Sequence, residues 1–150
     1  MLKTTLTSIL LCTSLSAFST VKEIKAEYKI VHDAIEKALY TKKIKITKDH
    51  VVPEVSKEIY LNDKGTVKKL VLDYRGESTH IKEYFYTNSG KLFFTYEYAN
   101  DEHSGKVEVR RYYNDDMKLI DEKITEGKKG IASAYPDVIE NAFKYFQEKL

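Results

Sequence analysis

Tyr86-Thr87-Asn88-Ser89-Gly90-Lys91-Leu92 has the make-up of a tight reversal between two paired strands. Asn and Gly tolerate the left-handed backbone that a short turn demands, and the flanking apolar residues suit strands that pair across it. The arrangement recurs. Tyr60-Leu61-Asn62 and Tyr112-Tyr113-Asn114 lie 26 residues before and after Tyr86-Thr87-Asn88. Each opens a turn run: Asn62-Asp-Lys-Gly65-Thr-Val67, Asn88-Ser-Gly90-Lys-Leu92 and Asn114-Asp-Asp-Met117-Lys-Leu119. Three consecutive β-hairpins follow, with strands expected over residues 56–61, 66–74, 80–87, 91–99, 106–113 and 118–124. Connections at residues 75–78 and 100–105 join them into an antiparallel meander.

Counted from its asparagine, the second turn run is one residue shorter than the others. A one-residue slip turns every later side chain over, so faces are assigned only on the outgoing strands. Ile59/Leu61, Ile81/Phe85 and Val107/Val109/Tyr113 are expected on one side. Glu58/Tyr60, Lys82/Tyr84/Tyr86 and Glu108/Arg110/Tyr112 are expected on the other.

Upstream of the hairpins, Lys43-Ile44-Lys45-Ile46 alternates as a short half-buried strand within residues 42–48, and Pro53 limits its extension. Further upstream, Thr20-Val-Lys-Glu23 fits a capping box, in which hydroxyl and carboxylate satisfy each other's orphan N–H groups. Val21, Ile24, Tyr28, Val31 and Ile35 recur at helical steps, with charged residues between them, so residues 20–40 read as an amphipathic helix. Downstream, Gly127-Lys-Lys-Gly130 precedes a second helix over residues 136–150, with Pro136 and Asp137 in its first turn. Ile139, Ala142, Phe143, Phe146 and Leu150 form its apolar stripe. The fold class is α+β: a meander of about six strands, with both terminal helices expected on one face and the other face open. Residues 20–150 form one domain.

Residues 1–19 read as a secretory signal peptide. Lys3 supplies the positive start, Leu6, Ile9, Leu10 and Leu11 the apolar centre, and Ser14/Ser16 or Ala17/Ser19 the small residues before a cut. The stretch is too short and too rich in Ser and Thr to span a membrane. Cys12 is the single cysteine, and Leu11 before it argues against lipidation. A cut near residues 16–19 leaves a mature chain without thiol chemistry and places it in the periplasm or outside the cell, with no stable membrane insertion.

Lys and Arg number 25 against 23 Asp and Glu, a balance that excludes an electrostatic nucleic-acid binder. His32, His50, His80 and His103 show no ligand-pair spacing, and no cofactor or metal is expected. Asp101-Glu102 and Asp115-Asp116 belong to turns, and Asn62-Asp-Lys-Gly65 lacks the ligand series of a calcium loop. Nucleophile-elbow, phosphate-loop and dinucleotide patterns are missing from the chain, and no catalytic residue is assigned.

Tyrosine is the outlier: 12 residues with no Trp, most of them between Tyr60 and Tyr113. Its ring packs while its hydroxyl stays wet, which suits both an exposed sheet surface and a binding face. Tyr60, Tyr84, Tyr86 and Tyr112, with Arg110 and Lys82 among them, are the candidate binding residues on the open face. Their mixed charge fits a protein or glycan partner. Function is therefore expected to be non-catalytic binding by an exported module. Two alternatives stand beside it: an inhibitor of a periplasmic or extracellular hydrolase, such as a cell-wall lytic enzyme, inserting residues 100–105 or 127–130, and an enzyme with an unfamiliar site around His80 or His103.

Tyr86-Thr-Asn-Ser-Gly90-Lys-Leu92 resembles the Y-x-x-[ND]-G-[KR]-L turn of bacterial MORN-type and YD-type hairpin repeats. Arg110-Arg-Tyr-Tyr113-Asn-Asp-Asp-Met-Lys-Leu-Ile120 resembles a motif of exported bacterial proteins. The likeness covers the sheet. It departs at Met117, where glycine is usual, and in the flanking helices. It implies a small envelope or secreted protein built for structure or binding, and carries over no catalytic residue.

Overall fold

Three turns of one design build the sheet. In the computed structural model, which describes residues 18–47, 54–76, 78–102, 105–125 and 139–148, each turn opens on a residue whose side chain accepts backbone N–H groups. Asn62 Oδ1 takes the N–H of Lys64 and Thr66, and Asn114 Oδ1 those of Asp116 and Lys118. In the second turn Thr87, not Asn88, holds this place, its Oγ1 accepting from Lys91. The backbone agrees: Gly65, Gly90 and Met117 each donate to the carbonyl three residues back, at Asn62, Thr87 and Asn114. All three turns are therefore the same length. Their fourth residues have φ of +74°, +80° and +57°, a region open to glycine and strained for Met117.

The strands they connect form one antiparallel sheet in chain order: β1 (Thr41–Thr47), β2 (Glu54–Leu61), β3 (Val67–Arg75), β4 (Thr79–Tyr86), β5 (Leu92–Asp101), β6 (Gly105–Tyr113) and β7 (Leu119–Thr125). The Lys-Ile strand expected before the hairpins joins as β1, making seven strands where about six were expected. It is mostly exposed rather than half-buried: on the sheet's rim, Ile44 is 55% accessible and Ile46 52%. At the start of β3 and of β5 a bulge inserts Lys68 and Phe93 opposite Tyr60/Leu61 and Phe85/Tyr86.

Helix α1 (Val21–Glu36) starts with the expected capping box between Thr20 and Glu23. It ends in a Schellman motif, with Leu39 N–H bonded to Ala34 C=O and Ala38 N–H to Ile35 C=O. Ala38 takes the left-handed place at φ +53°. Helix α2 (Ala142–Glu148) occupies the middle of the expected C-terminal helix; residues 136–138 and 149–150 lie outside the described residues.

The helices do not share a face. Cross-strand partners point the same way, so register sorts the side chains. Ile59, Leu70 and Tyr84 are successive partners, and with Leu72, Tyr86, Leu92 and Tyr113 they pack on Ile139, Ala142 and Phe146. Tyr60, Lys69, Phe85, Phe94 and Tyr112 form the next row on the opposite side. There Phe85, Phe93, Phe94 and Tyr112 pack on Phe18, Ile24 and Val31. The strands bury apolar residues on both sides, as in the Leu92-Phe93-Phe94 run, so each face requires its own cover. Tyr28, Val31 and Ile35 meet the sheet as expected. Phe143 does not: it is 43% exposed, while Phe146 is buried.

Candidate functional site

The site lies on the α1 face, where the helix covers one row of side chains and leaves the next uncovered. That second row runs Glu58, Val71, Glu83, Tyr96, Arg110 and Lys123 from β2 to β7. Between it and the helix is a cleft of about 450 Å³, lined by Lys25 and Tyr28 from α1, Glu83 from β4, Phe94 and Tyr96 from β5, and Arg110 and Tyr112 from β6. Such a volume falls among clefts that hold small molecules.

Its walls are rings. Tyr28 meets Phe94 edge-on at 5.2 Å and Phe85 at 5.0 Å, and Phe94 meets Tyr112 at 5.1 Å. The Arg110 guanidinium lies over Tyr96, 5.4 Å from its centroid, a cation–π contact. Burial raises the hydroxyls of Tyr28, Tyr96 and Tyr112 above the ordinary tyrosine value, Glu83 adding to the rise at Tyr28 and Glu108 at Tyr96. All three therefore stay protonated and neutral near pH 7. None bonds to another group among the described residues, and no buried polar atom there lacks a partner, so these hydroxyls open on solvent.

The charges differ in how far they are satisfied. Glu83 is held by Lys69 Nζ at 2.8 Å. Glu108 receives Lys106 at 2.7 Å and Arg110 at 2.6 Å, and the hydrogen bond from Lys106, more than any other contact, holds its carboxyl below the ordinary range. Arg110 keeps its remaining N–H donors without a partner among the described residues, and Lys25 pairs with no carboxylate there. Ring faces, hydroxyls and two cations can recognise a ligand; the one carboxylate of the lining among the described residues is already engaged by Lys69.

Of the residues expected to form one open face, Arg110 and Tyr112 line this cleft. Tyr60 is on the same side but far along the row, its hydroxyl on Glu58 at 3.0 Å and Lys42 over its ring. Tyr84, Tyr86 and Lys82 are on the other side, under α2 or beside it. Tyr84 and Tyr86 are 2% and 1% exposed, and Tyr86 donates its hydroxyl to Ile139 C=O at 3.0 Å. Lys82 is buried near Glu97, 3.9 Å away. The expectation of a shared face fails because Thr87 opens the second turn. Tyr86 thus corresponds to Leu61 and Tyr113, one residue before the turn, rather than to Tyr60 and Tyr112. Lys25, Tyr28, Glu83, Phe94 and Tyr96 were missed. The alternation Phe94-Thr-Tyr96-Glu-Tyr98 was the available signal, usable once the phase of β5 was known.

On the α2 face, Glu97 gathers His80 at 2.8 Å, Arg111 at 3.5 Å and Lys82, while Arg111 also reaches Glu122 at 2.6 Å. Burial pushes the Glu97 carboxyl up, but the bond with His80 and the charges of Lys82, His80 and Arg111 outweigh it and leave it below the ordinary carboxylate value. His80, one centre of the enzyme alternative, thus bonds Glu97 and stacks on Tyr74 at 5.2 Å, on the side away from the cleft. His32 stacks on Tyr28 at 5.9 Å. His50, His103, Cys12 and residues 127–130 lie outside the described residues. Among the described residues no three His, Cys, Asp or Glu gather to hold a metal ion, and no helix is long and apolar enough to cross a membrane.

Set against known proteins, the chain matches no family model, no curated protein and no solved structure.

Proposed function

We propose that this chain is an exported, non-catalytic binding module whose ligand enters the cleft between α1 and strands β4 to β6. The observation that carries the reading is a ring-walled cleft of about 450 Å³ lined by three tyrosines whose hydroxyls, like the Lys25 ammonium and the N–H donors that Arg110 does not give to Glu108, have no partner among the described residues. Ring walls with a few polar groups still open to a new partner are the make-up of a small-molecule cleft. Protein-observed NMR with a library of small ring compounds tests this. Saturable shifts at Tyr28, Tyr96 and Arg110, with the Tyr86 signals unmoved, are expected. A library that produces no saturable shift at the cleft sinks the reading.

Export rests on the make-up of residues 1–19, and the burial of Phe18 supports a cut after Ser16 over one after Ser19. Phe18 is buried against Phe93 at 5.4 Å, and its N–H donates to Asp115 Oδ1 at 2.9 Å. A cut after Ser19 removes this contact, whereas a cut after Ser16 keeps it. N-terminal sequencing of secreted protein should begin at Ala17. A mature chain beginning at Thr20 contradicts the assignment, and one that retains Met1 contradicts export itself.

A further inference from the structure

Donors outnumber acceptors in the cleft, and that imbalance identifies the ligand's chemistry. The only carboxylate in the lining among the described residues, Glu83, is already taken by Lys69. Glu108, just outside, is taken by Lys106 and Arg110. Arg110 retains donors beyond the one given to Glu108, and Lys25 enters from the opposite wall with its three donors uncommitted to any carboxylate among the described residues. The ring of Tyr96 lies against the Arg110 guanidinium. A neutral ligand without an acceptor would displace water from the uncommitted N–H donors of Arg110 and Lys25 and give them nothing in return. A cationic ligand would meet two like charges. A ligand with an anionic oxygen group satisfies them, since charge-assisted bonds to Arg and Lys are the stronger kind.

The body of the ligand follows from the walls. Tyr28, Phe94 and Tyr96 present ring faces and edges around a space wide enough for one or two six-membered rings, planar or pyranose. Resting on the cleft reading above, we infer that the ligand is a ring compound bearing a carboxylate, its ring among Tyr28, Phe94 and Tyr96 and its carboxylate between Lys25 and Arg110. An aromatic acid and an acidic sugar share this chemistry, and they separate by experiment.

The full chain is titrated with phenylacetate, its neutral partner phenylacetamide, glucuronate and glucose, following amide shifts at Tyr28, Tyr96 and Arg110. At least one acid should bind tenfold or more tightly than its neutral partner. Which acid does so identifies the ring as aromatic or pyranose. Arg110→Gln and Lys25→Met should each bring the acid down toward its neutral partner, while Arg110→Lys keeps part of the preference and a dispersed spectrum certifies the fold. Acid and neutral partner binding equally well overturns the carboxylate assignment and leaves the cleft reading standing. Saturable binding of none of the four overturns the carboxylate-ring assignment, and the ring library then decides the cleft reading separately. A preference that survives both substitutions places the carboxylate elsewhere and likewise overturns the assignment.

Discussion

On the α2 side of the sheet, Tyr84 and Tyr86 are sealed into the core, and the Tyr86 hydroxyl holds Ile139 C=O. On the α1 side, Tyr96 and Tyr112 belong to the same pattern of alternation but keep their hydroxyls open on a cleft. Residue type does not distinguish the two pairs. Phase relative to a turn does, together with the reach of the covering helix. α2 and Ile139 lie on the centre of their face, whereas α1 covers the row through Phe85, Phe94 and Tyr112 and stops short of Glu83, Tyr96 and Arg110. The proposed binding cleft is what remains uncovered when one helix is offset from a sheet that is apolar on both sides.

The largest test of that contrast is a pair of truncations. Tyr86→Ala should lose roughly 3–5 kcal/mol of stability, the range for buried aromatic side chains, in urea unfolding. Tyr96→Ala, at the cleft, should lose under about 1 kcal/mol. Equal losses would erase the distinction between the faces. Next comes α2 itself: Phe146→Ala should cost about 3 kcal/mol and the exposed Phe143→Ala under about 1 kcal/mol, by the same measurement. A reversed order would mean that α2 is rotated about its axis.

A smaller effect appears as pH dependence. Because the folded-state Glu97 carboxyl lies below its ordinary value of 4.5, its contribution is fully present above that value and is lost as pH falls through the lowered one. The melting temperature of the wild type should therefore drop more steeply on acidification from pH 5 than that of Glu97→Gln. Tyr96→Ala, on the other face, should keep the wild-type slope. The smallest effect is Ala38→Gly, which relieves a left-handed alanine at the end of α1 and should add about 0.5–1 kcal/mol. Ligand affinity at the cleft should stay unchanged, since Ala38 does not line it.

What could be read in the chain was local. The capping box at Thr20 and Glu23, the stripe of α1 and the three reversals depend on neighbours a few residues apart, and the structure contains them. Phase was not legible. Thr87 and Asn88 are both able to accept the N–H groups of a turn, and the bonds of Thr87 to Lys91 and Gly90 in the folded chain show which one does. From that ambiguity of one residue came the misplaced Tyr84, Tyr86 and Lys82. The side chosen by each helix was not legible either, because both faces of β3 and β5 offered apolar partners. Arg110 and Tyr112 were found because β6 runs into a turn that does open on its asparagine.

The strand order has a kinetic consequence. Every strand pairs with its neighbour in the chain, so the sheet closes only short loops and has the low contact order that goes with rapid folding. The distant contacts belong to the ends: Phe18 to Asp115, Lys45 to Gln147 and Tyr86 to Ile139. Hairpins should zip first and the terminal segments dock last, so that the cleft is the final part of the molecule to exist. Rate measurements on truncated variants bear on this order: Val109→Ala should slow folding, whereas Phe146→Ala and Val31→Ala should mainly hasten unfolding.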